Sequence, residues 1–208
     1  MPRSQQGLLR LLRREGIDER VIGAFAATPR ADFVPLRSRS MAYVDRPVAL
    51  PERQTTSQPS LIARMIEAAR PEATDRALEV GTGYGFQTAL LARLVADVVS
   101  VERSATLAEA AAENLRLAGI ENARVSVGDG WEGLPADAPF EVIVVSAAAS
   151  EVPEALEEQL AEGGRLVIPV RGATSDEVLL FEKHDGVVKR ISLLTPARFV
   201  PLVKGEQG

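Results

Sequence analysis

The stretch Arg76–Gln87 reads RALEVGTGYGFQ, and it decides the fold. Ala77–Val80 is a short apolar strand that runs directly into a turn with glycines at positions 81, 83 and 85. The following residues, Phe86–Val95, have the composition of a helix. A strand, a glycine-rich turn and a helix in this order place backbone N–H groups at the start of the helix and let a ligand approach the backbone closely. The stretch therefore predicts a ligand site at the edge of an α/β sheet.

The spacing of the glycines and the acid before them indicate the kind of ligand. The turn is GxGxG and not the GxGxxG of dinucleotide-binding proteins, and Glu79 stands just before Gly81. A carboxylate here repels a pyrophosphate but suits a cation. The combination resembles the first motif of S-adenosylmethionine-dependent methyltransferases, whose cofactor carries a sulfonium and no phosphate. One alternative is an ordinary tight turn in another α/β protein. The other is a nicotinamide dehydrogenase, in which Glu79 would have no functional role.

Strands and helices alternate after Pro71, which predicts a parallel sheet with crossover helices. The predicted strands are Ala77–Val80, Asp97–Val101, Ala123–Val127, Glu141–Val145 and Arg165–Pro169. The predicted helices between them are Phe86–Val95, Ser104–Ala118 and Pro153–Ala161. A hairpin of Val178–Phe181 and Val187–Leu193 and a last strand, Arg198–Val203, complete the prediction.

The N-terminal third lacks the regular alternation of strands and helices. Helices are predicted over Gln5–Arg14, over residues 18–27 with Asp18 as the cap, and over Leu61–Ala69. Between the last two, residues 32–59 are proline-rich and irregular, which is typical of a functional loop. We therefore expect one α/β domain over 1–208. Residues 1–70 supply N-terminal helices and a loop over the substrate, and 71–208 form a doubly wound, mostly parallel, seven-stranded Rossmann-like methyltransferase sheet with late antiparallel strands.

Polar residues follow the predicted strands at the edge where ligands bind such sheets. Glu102 stands 21 positions beyond Gly81, the place of a carboxylate that accepts from both ribose hydroxyls. Asp129, between two glycines, is positioned to accept from an adenine amino group. Ser146 and the alanines after it are small and leave space for a substrate. Together these strand ends predict an adenosyl pocket.

Composition excludes several classes of function. The chain has 208 residues, 46% of them hydrophobic, with a net charge of −5 and a pI near 5.1, which argues against a nucleic-acid binder. No apolar run is long enough to span a membrane, and the N-terminus lacks a signal-peptide core. With no cysteine and one histidine, we expect no disulfide, thiol catalysis or metal centre. We expect a cytoplasmic protein without nucleic-acid or membrane partners.

Beyond the glycine turn, the chain resembles the protein-L-isoaspartate (D-aspartate) O-methyltransferase family over nearly its full length. The matching stretches are Arg30–Pro35, Ala42–Asp45, Gln54–Pro59, Leu78–Gln87, Val127–Gly133 with Pro139-Phe140, and Phe199–Leu202. The Thr-x-Ser-Gln-Pro element within Gln54–Pro59 is the most specific of these. Two departures are Tyr84, where the family has a small residue, and Ser146, where it has Thr.

The resemblance implies a repair enzyme. Such an enzyme moves a methyl group from S-adenosylmethionine, leaving S-adenosylhomocysteine, to the free carboxyl of L-isoaspartyl or D-aspartyl residues in proteins. It implies that Ser57 is the catalytic residue and orients that carboxyl, and we expect a monomer. The residues implied for the cofactor are Glu79, Gly81, Thr82, Gly83, Glu102, Asp129 and Gly130. Those implied for the substrate are Thr55, Thr56, Gln58, Ser146 and Val200.

Other interpretations stay open on the sequence alone. From local sequence, Ser57 or Ser60 is an N-cap of the helix that follows. The chain could also methylate a small-molecule carboxylate, a reading that Tyr84 keeps open. A third possibility is a cofactor-binding module without turnover.

Overall fold

A seven-stranded sheet organises the protein in the computed structural model, which describes residues 3–205. A short two-stranded antiparallel ribbon precedes that sheet. The strands are β1 Val48–Ala49, β2 Thr55–Thr56, β3 Arg76–Val80, β4 Asp97–Glu102, β5 Ala123–Val127, β6 Phe140–Val145, β7 Leu160–Arg171, β8 Asp176–His184 and β9 Val187–Ala197. The large sheet has the order β5-β4-β3-β6-β7-β8-β9.

The strand order creates a switch point beside β3. Strand β3 pairs in parallel with β4 on one side and with β6 on the other. Strands β5 and β7 extend the parallel part, and β8 and β9 add antiparallel pairs. The chain leaves β3 and β6 in opposite directions along the sheet, which opens a crevice at their carboxyl ends. The predicted doubly wound, mostly parallel sheet with late antiparallel strands is confirmed.

Six α-helices accompany the sheet within residues 3–205. They are α1 Gln5–Arg14, α2 Glu19–Ala27, α3 Pro59–Ala69, α4 Phe86–Ala92, α5 Ala105–Leu117 and α6 Glu154–Glu158. The predicted cap is present, since Asp18 accepts from the N–H of Arg20, and Ser104 caps α5 by accepting from the N–H of Leu107. None of the helices within the described part is both long and apolar enough to cross a lipid bilayer.

Alternate residues of the strands face two hydrophobic clusters. Ala77 and Val142 belong to the cluster that holds the apolar faces of α1 to α5. Leu78 and Ile143, one position later, belong to the opposite cluster with Leu156 of α6. Because side chains alternate across a strand, Glu79 projects toward the same side as Ala77, under the helices. This places a carboxylate inside the larger core.

The segment between α2 and α3 covers the start of α4, and residues 30–58 are called the N-terminal cover below. It contains the 3₁₀ turns Arg30–Phe33 and Leu36–Met41 and the β1–β2 ribbon. Phe33 packs on Phe86, the first residue of α4, with ring centroids 5.9 Å apart. The irregular, proline-rich stretch is thus an ordered layer, fixed by its own core contacts.

Arg30 joins the cover to the helices. Its side chain is 1% exposed, and its two terminal nitrogens donate to the carbonyls of Ala42 and Ser57, each at 2.8 Å. The guanidinium carbon lies 5.6 Å from the ring centroid of Phe86, within cation–π range. Burial lowers the pKa of Arg30 to about 10, so the group remains a cation at neutral pH.

Two predicted elements are wrong at their ends. The predicted helix 153–161 shortens to α6, because Leu160 already pairs with Phe140 as the first residue of β7. The predicted helix 86–95 ends at Ala92. In both places the chain must turn back to the sheet sooner than local helix propensity indicates.

The predicted last strand, Arg198–Val203, is also wrong. The antiparallel strand β9 continues through Ala197, and the chain then makes a single parallel bridge between Pro201 and Ala148. Ala148 N–H donates to the Val200 carbonyl, and Leu202 N–H donates to the Ala148 carbonyl, each at 2.8 Å. This bridge brings the chain's last part to the carboxyl end of β6.

The division into 1–70 and 71–208 stays a prediction, and residues 1, 2 and 206–208 lie outside the described part of the chain. Helix α3 of the first part packs on β6 and β7 of the second.

We expect Arg30→Met to lower the free energy of unfolding by about 2 kcal/mol, because two buried carbonyls lose their donors. Arg37→Met, an exposed site in the same cover, is the matched control and should change stability by less than about 0.5 kcal/mol. Urea unfolding of both variants gives the comparison. Equal losses would show that Arg30 does not anchor the cover.

Candidate active site

The glycine turn leaves β3 in a conformation that side chains disfavour. Gly81, Gly83 and Gly85 have φ values of +91°, +58° and +84°. Gly81 N–H still donates to the Val101 carbonyl at 2.9 Å, so the turn begins as an extension of the sheet. A Cβ on Gly81 would lie 3.4 Å from the Cβ of Ser146. The turn therefore needs glycine for its backbone and lies close to the end of β6.

A cavity, called the turn cavity here, opens above this turn at the carboxyl ends of the strands. Five of the seven predicted cofactor residues line it: Gly81, Thr82, Gly83, Glu102 and Gly130. Tyr84 and Gln87 also line it. The cavity is thus where the switch point of the sheet predicts a ligand.

Glu102 is held rigidly at the end of β4. One carboxylate oxygen accepts from Gly83 N–H at 2.8 Å, and the other accepts from Ser104 N–H at 3.1 Å. A carboxylate oxygen accepts more than one hydrogen bond, so both can still receive a ligand hydroxyl. The two backbone donors fix the orientation of the carboxylate at the cavity wall.

Glu79 is 0% exposed and lies beneath the turn, outside the lining of the turn cavity. One oxygen accepts from the hydroxyls of Thr88 and Ser100, and the other accepts from the Gln87 amide at 3.0 Å. Burial raises the pKa of Glu79 to about 7, against the opposite effect of these hydrogen bonds. Any action of Glu79 on a cationic ligand is thus through its charge and not through contact.

Asp129 also lies outside the cavity lining. Its two oxygens accept from the N–H groups of Trp131 and Gly205, at 2.8 and 2.6 Å. Its neighbour Gly130 lines the cavity, and a Cβ there would lie 2.4 Å from a methyl carbon of Val80. The predicted role of Asp129 toward adenine is not tested by this geometry and stays a prediction.

A second cavity, called the side cavity, adjoins the first. It is lined by Arg64 of α3 and by Arg198 and Phe199 after β9, among others. Four predicted substrate or catalytic residues line both cavities: Thr55, Ser57, Ser146 and Val200. Thr56 lines only the turn cavity, and Gln58 only the side cavity. A ligand in one cavity can therefore meet a ligand in the other at these four residues.

Asp45 of the N-terminal cover holds the segment that carries Ser57. Its carboxylate accepts from the Gln58 amide and from both the N–H and the hydroxyl of Ser60, each at 2.9 Å. The N-cap position of α3 is Gln58, so the interpretation of Ser57 or Ser60 as the N-cap is wrong. Asp45 satisfies the helix start from 15 residues away, and Ser57 is left at the cavity wall.

Sequence reasoning missed Gln87 as a site residue. Its amide nitrogen donates to Glu79 and, at 2.9 Å, to the hydroxyl of Ser146. The signal was present, since a glutamine in the first turn of a buried helix must find polar partners.

The charge and chemistry of the site are simple. His184 stands at the end of β8, outside the lining of both cavities. Residues 3–205 contain no group of three or more acidic, histidine or cysteine side chains that could hold a metal. The two cavities offer hydroxyls, backbone groups, the fixed carboxylate of Glu102 and several other charged side chains at their walls, which can bind and align two ligands.

Comparisons with known proteins agree on one family. A family model described as protein-L-isoaspartate(D-aspartate) O-methyltransferase matches residues 3–207. A Roseiflexus castenholzii protein named protein-L-isoaspartate O-methyltransferase is 48% identical over 202 residues, covering 97% of this chain and 92% of the relative. A Koribacter versatilis protein of the same name is 48% identical over 198 residues, covering 95% and 88%.

Solved structures give the same result. A protein-L-isoaspartate O-methyltransferase superposes with a TM-score of 0.86 at 32% identity, covering 98% of this chain and 67% of that one. A Plasmodium falciparum structure described as a beta-aspartate methyltransferase in complex with S-adenosyl-L-homocysteine has a TM-score of 0.83 at 26% identity. It covers 98% of this chain and 100% of that one.

We expect Gly130→Ala to lower the free energy of unfolding by about 1–3 kcal/mol, because the new methyl group overlaps the buried Val80. The matched control is Gly23→Ala, in α2, where an added Cβ meets nothing within 4 Å. That variant should gain about 0.5–1 kcal/mol from helix propensity. Thermal and urea unfolding test both, and a neutral Gly130→Ala would contradict the close approach.

The raised pKa of Glu79 predicts a pH dependence of stability. A carboxyl group whose pKa is higher in the folded state stabilises the fold below its unfolded value of 4.5, and this contribution is lost as pH rises through about 7. The loss amounts to roughly 3 kcal/mol. We expect urea unfolding of the native protein to show this fall between about pH 4.5 and about pH 7, and Glu79→Gln to lack that part of it. Parallel profiles for the two proteins would contradict the assignment.

Proposed function

Since the chain belongs to the protein-L-isoaspartate(D-aspartate) O-methyltransferase family, we propose that it repairs damaged proteins by methylating the free carboxyl of their L-isoaspartyl or D-aspartyl residues. The family match, which spans nearly the whole chain, confirms the resemblance stated from the sequence. The proposal is supported above all by the wall of four residues that the turn cavity and the side cavity share.

The turn cavity fits S-adenosylmethionine. A tight glycine turn gives the ligand room at the backbone, and Glu102, fixed by Gly83 and Ser104, presents acceptors to a ribose diol. Thr82 and Gly130 complete this part of the lining. When bound, the cofactor would supply a methyl group carried on a positively charged sulfur. A carboxylate oxygen can accept that methyl group directly, which forms a methyl ester and leaves S-adenosylhomocysteine.

The side cavity fits the peptide. One side of it includes Arg198 and Val200, and the carbonyl of Val200 accepts from Ala148 N–H at the end of β6; its other side is the cover with Thr55. A peptide in this groove can extend its damaged carboxyl between Ser57 and Ser146, toward the turn cavity. Gln58 would contact the peptide in the side cavity, and Thr56 lies on the other side of the damaged carboxyl, at the turn cavity.

Such a reaction requires little acid–base chemistry from the protein. The pKa of a free carboxyl is about 4 or lower, so the substrate is ionised at neutral pH and needs no general base. The work of the chain is to align that carboxylate with the methyl group and to exclude water. A cavity lining without histidine suits this role.

Ser57 has the central position in the proposal. Its carbonyl is fixed by Arg30 at 2.8 Å, while the neighbouring Gln58 and Ser60 are fixed by Asp45. A serine hydroxyl on so rigid a backbone can donate to the substrate carboxylate in one defined direction. We assign this orienting role to Ser57, with Thr55, Ser146 and Val200 as the other contacts of the carboxyl.

The first test uses labelled S-adenosylmethionine and two peptides that differ only in carrying L-isoaspartate or normal L-aspartate. We expect base-labile label on the isoaspartyl peptide alone. If neither peptide is labelled while the cofactor binds, the repair function fails. Label on small-molecule carboxylates would then indicate the alternative methyltransferase, and no label on any acceptor a module without turnover.

We expect Ser57→Ala to lower kcat/KM for the isoaspartyl peptide roughly 10- to 100-fold, the effect of losing a hydrogen bond to a charged group. Cofactor affinity, measured by calorimetry, should change by less than about twofold, because the turn cavity keeps its glycines and Glu102. Ser40→Ala, an exposed serine of the same cover, is the control and should retain full activity. Unchanged methylation in Ser57→Ala would remove Ser57 from the mechanism.

We propose further that the enzyme is a cytoplasmic monomer whose partners are damaged peptides and proteins and do not include nucleic acids or membranes. The acidic pI near 5.1 supports the part that concerns nucleic acid. Light scattering of the purified protein and fractionation of cells that express it test these points.

A further inference from the structure

The amide of Gln87 donates two hydrogen bonds at the floor of the site. Its nitrogen lies 3.0 Å from a carboxylate oxygen of Glu79 and 2.9 Å from the hydroxyl oxygen of Ser146. Gln87 itself is buried within the first turn of α4. Because an amide nitrogen carries two hydrogens, both are used, one by each partner.

Glu79 fixes which end of the amide faces Ser146. An ionised carboxylate accepts hydrogen bonds only, so it attracts the nitrogen of Gln87 and repels the oxygen. The carboxylate cannot turn away, because Thr88 and Ser100 donate to its other oxygen from α4 and β4. The ionised form of Glu79 thus sets the orientation of the neighbouring amide.

The orientation of the amide in turn determines what Ser146 can do. A hydroxyl that accepts from Gln87 has its own hydrogen left for another partner. Ser146 lines both the turn cavity and the side cavity, where the substrate carboxylate is placed by the proposed function. Its hydrogen can therefore point at the reacting group.

We propose that Glu79 and Gln87 are positioning residues, which hold Ser146 as a hydrogen-bond donor to the substrate carboxylate. This inference rests on the proposed function and adds to it the reason why Ser146 donates to the substrate carboxylate. Neither Glu79 nor Gln87 needs to touch the substrate for this effect, since both act through the Ser146 hydroxyl.

Protonation of Glu79 reverses the direction of the two hydrogen bonds that join Glu79 to Gln87 and Gln87 to Ser146. A protonated Glu79 donates to the oxygen of Gln87, which requires the amide to turn over. Ser146 then donates to Gln87 and presents lone pairs to the cavity, which repel a carboxylate. The charged group that acts on Glu79 is Glu102, at the end of β4, while the side chains that contact it from α4 and β4 are uncharged. Its pKa of about 7 puts the reversal within the range of ordinary assays.

The experiment measures the KM of an isoaspartyl peptide from about pH 5 to about pH 8 at saturating S-adenosylmethionine. The substrate carboxyl stays ionised over this range, so it contributes no titration of its own. The cation of the cofactor favours ionised Glu79 and moves the midpoint below about 7, which is why the range extends to acid. We expect KM to fall about tenfold as pH rises, with kcat changing much less.

Variants separate the proposed cause from a general effect of pH. Ser146→Ala should have a KM near the acid value of the native enzyme, and that KM should not change with pH. Glu79→Gln, which resembles the protonated acid, should behave in the same way. Glu121→Gln, at an exposed acid, is the matched control and should keep the native profile.

A native KM that does not change with pH would overturn the inference, and so would a pH dependence that survives in Ser146→Ala. The second result can be obtained even if Glu79→Gln does not fold. Activity of the native enzyme on the isoaspartyl peptide tests the proposed function separately, because that activity is independent of the shape of the pH profile.

Discussion

The arrangement of the chain at the carboxyl ends of the strands depends on the burial of one side chain, the carboxylate of Glu79. Glu79 has no exposed surface, so each of its oxygens must be satisfied by protein groups. The donors come from β4 and from the first turn of α4, through Ser100, Thr88 and Gln87. These bonds tie the glycine turn to the helix behind it and to the strand beside it. The turn can then present its backbone to a ligand without support from the ligand itself.

A buried cation has the corresponding role in the N-terminal cover. Arg30 ties the start of the cover to its middle and its end, through the carbonyls of Ala42 and Ser57, and the face of Phe86 balances part of its charge. Phe86 is also the residue before Gln87, so the contacts of the cover and of Glu79 meet at one turn of α4. The two serines of the wall that both cavities share, Ser57 and Ser146, are consequently positioned from a common point. This explains how a site assembled from distant segments can hold a small group in register.

The sequence predicted the sheet and the place of the site, because both follow from patterns within a few residues. Alternating apolar strands, helices and the turn after Val80 were enough to predict the fold, and Glu102, a predicted cofactor residue, lines the turn cavity. What local patterns could not supply was the direction of each side chain. Glu79 and Asp129 both looked like pocket acids, yet one is under the turn and the other binds the backbone of Trp131. Those directions depend in part on partners outside the local pattern, Ser100 for Glu79 and Gly205 for Asp129, as does the capping of α3 by Asp45.

The wall between the two cavities has a consequence for the order in which the enzyme is made. Its members stand at positions 55, 57, 146 and 200, so it spans almost the whole chain. A nascent protein can order the glycine turn once β4 and β6 have been synthesised, but the wall is incomplete until Val200 has reached Ala148. The glycine turn can therefore be assembled before the wall during synthesis, and the wall is completed only after residue 200 has been added.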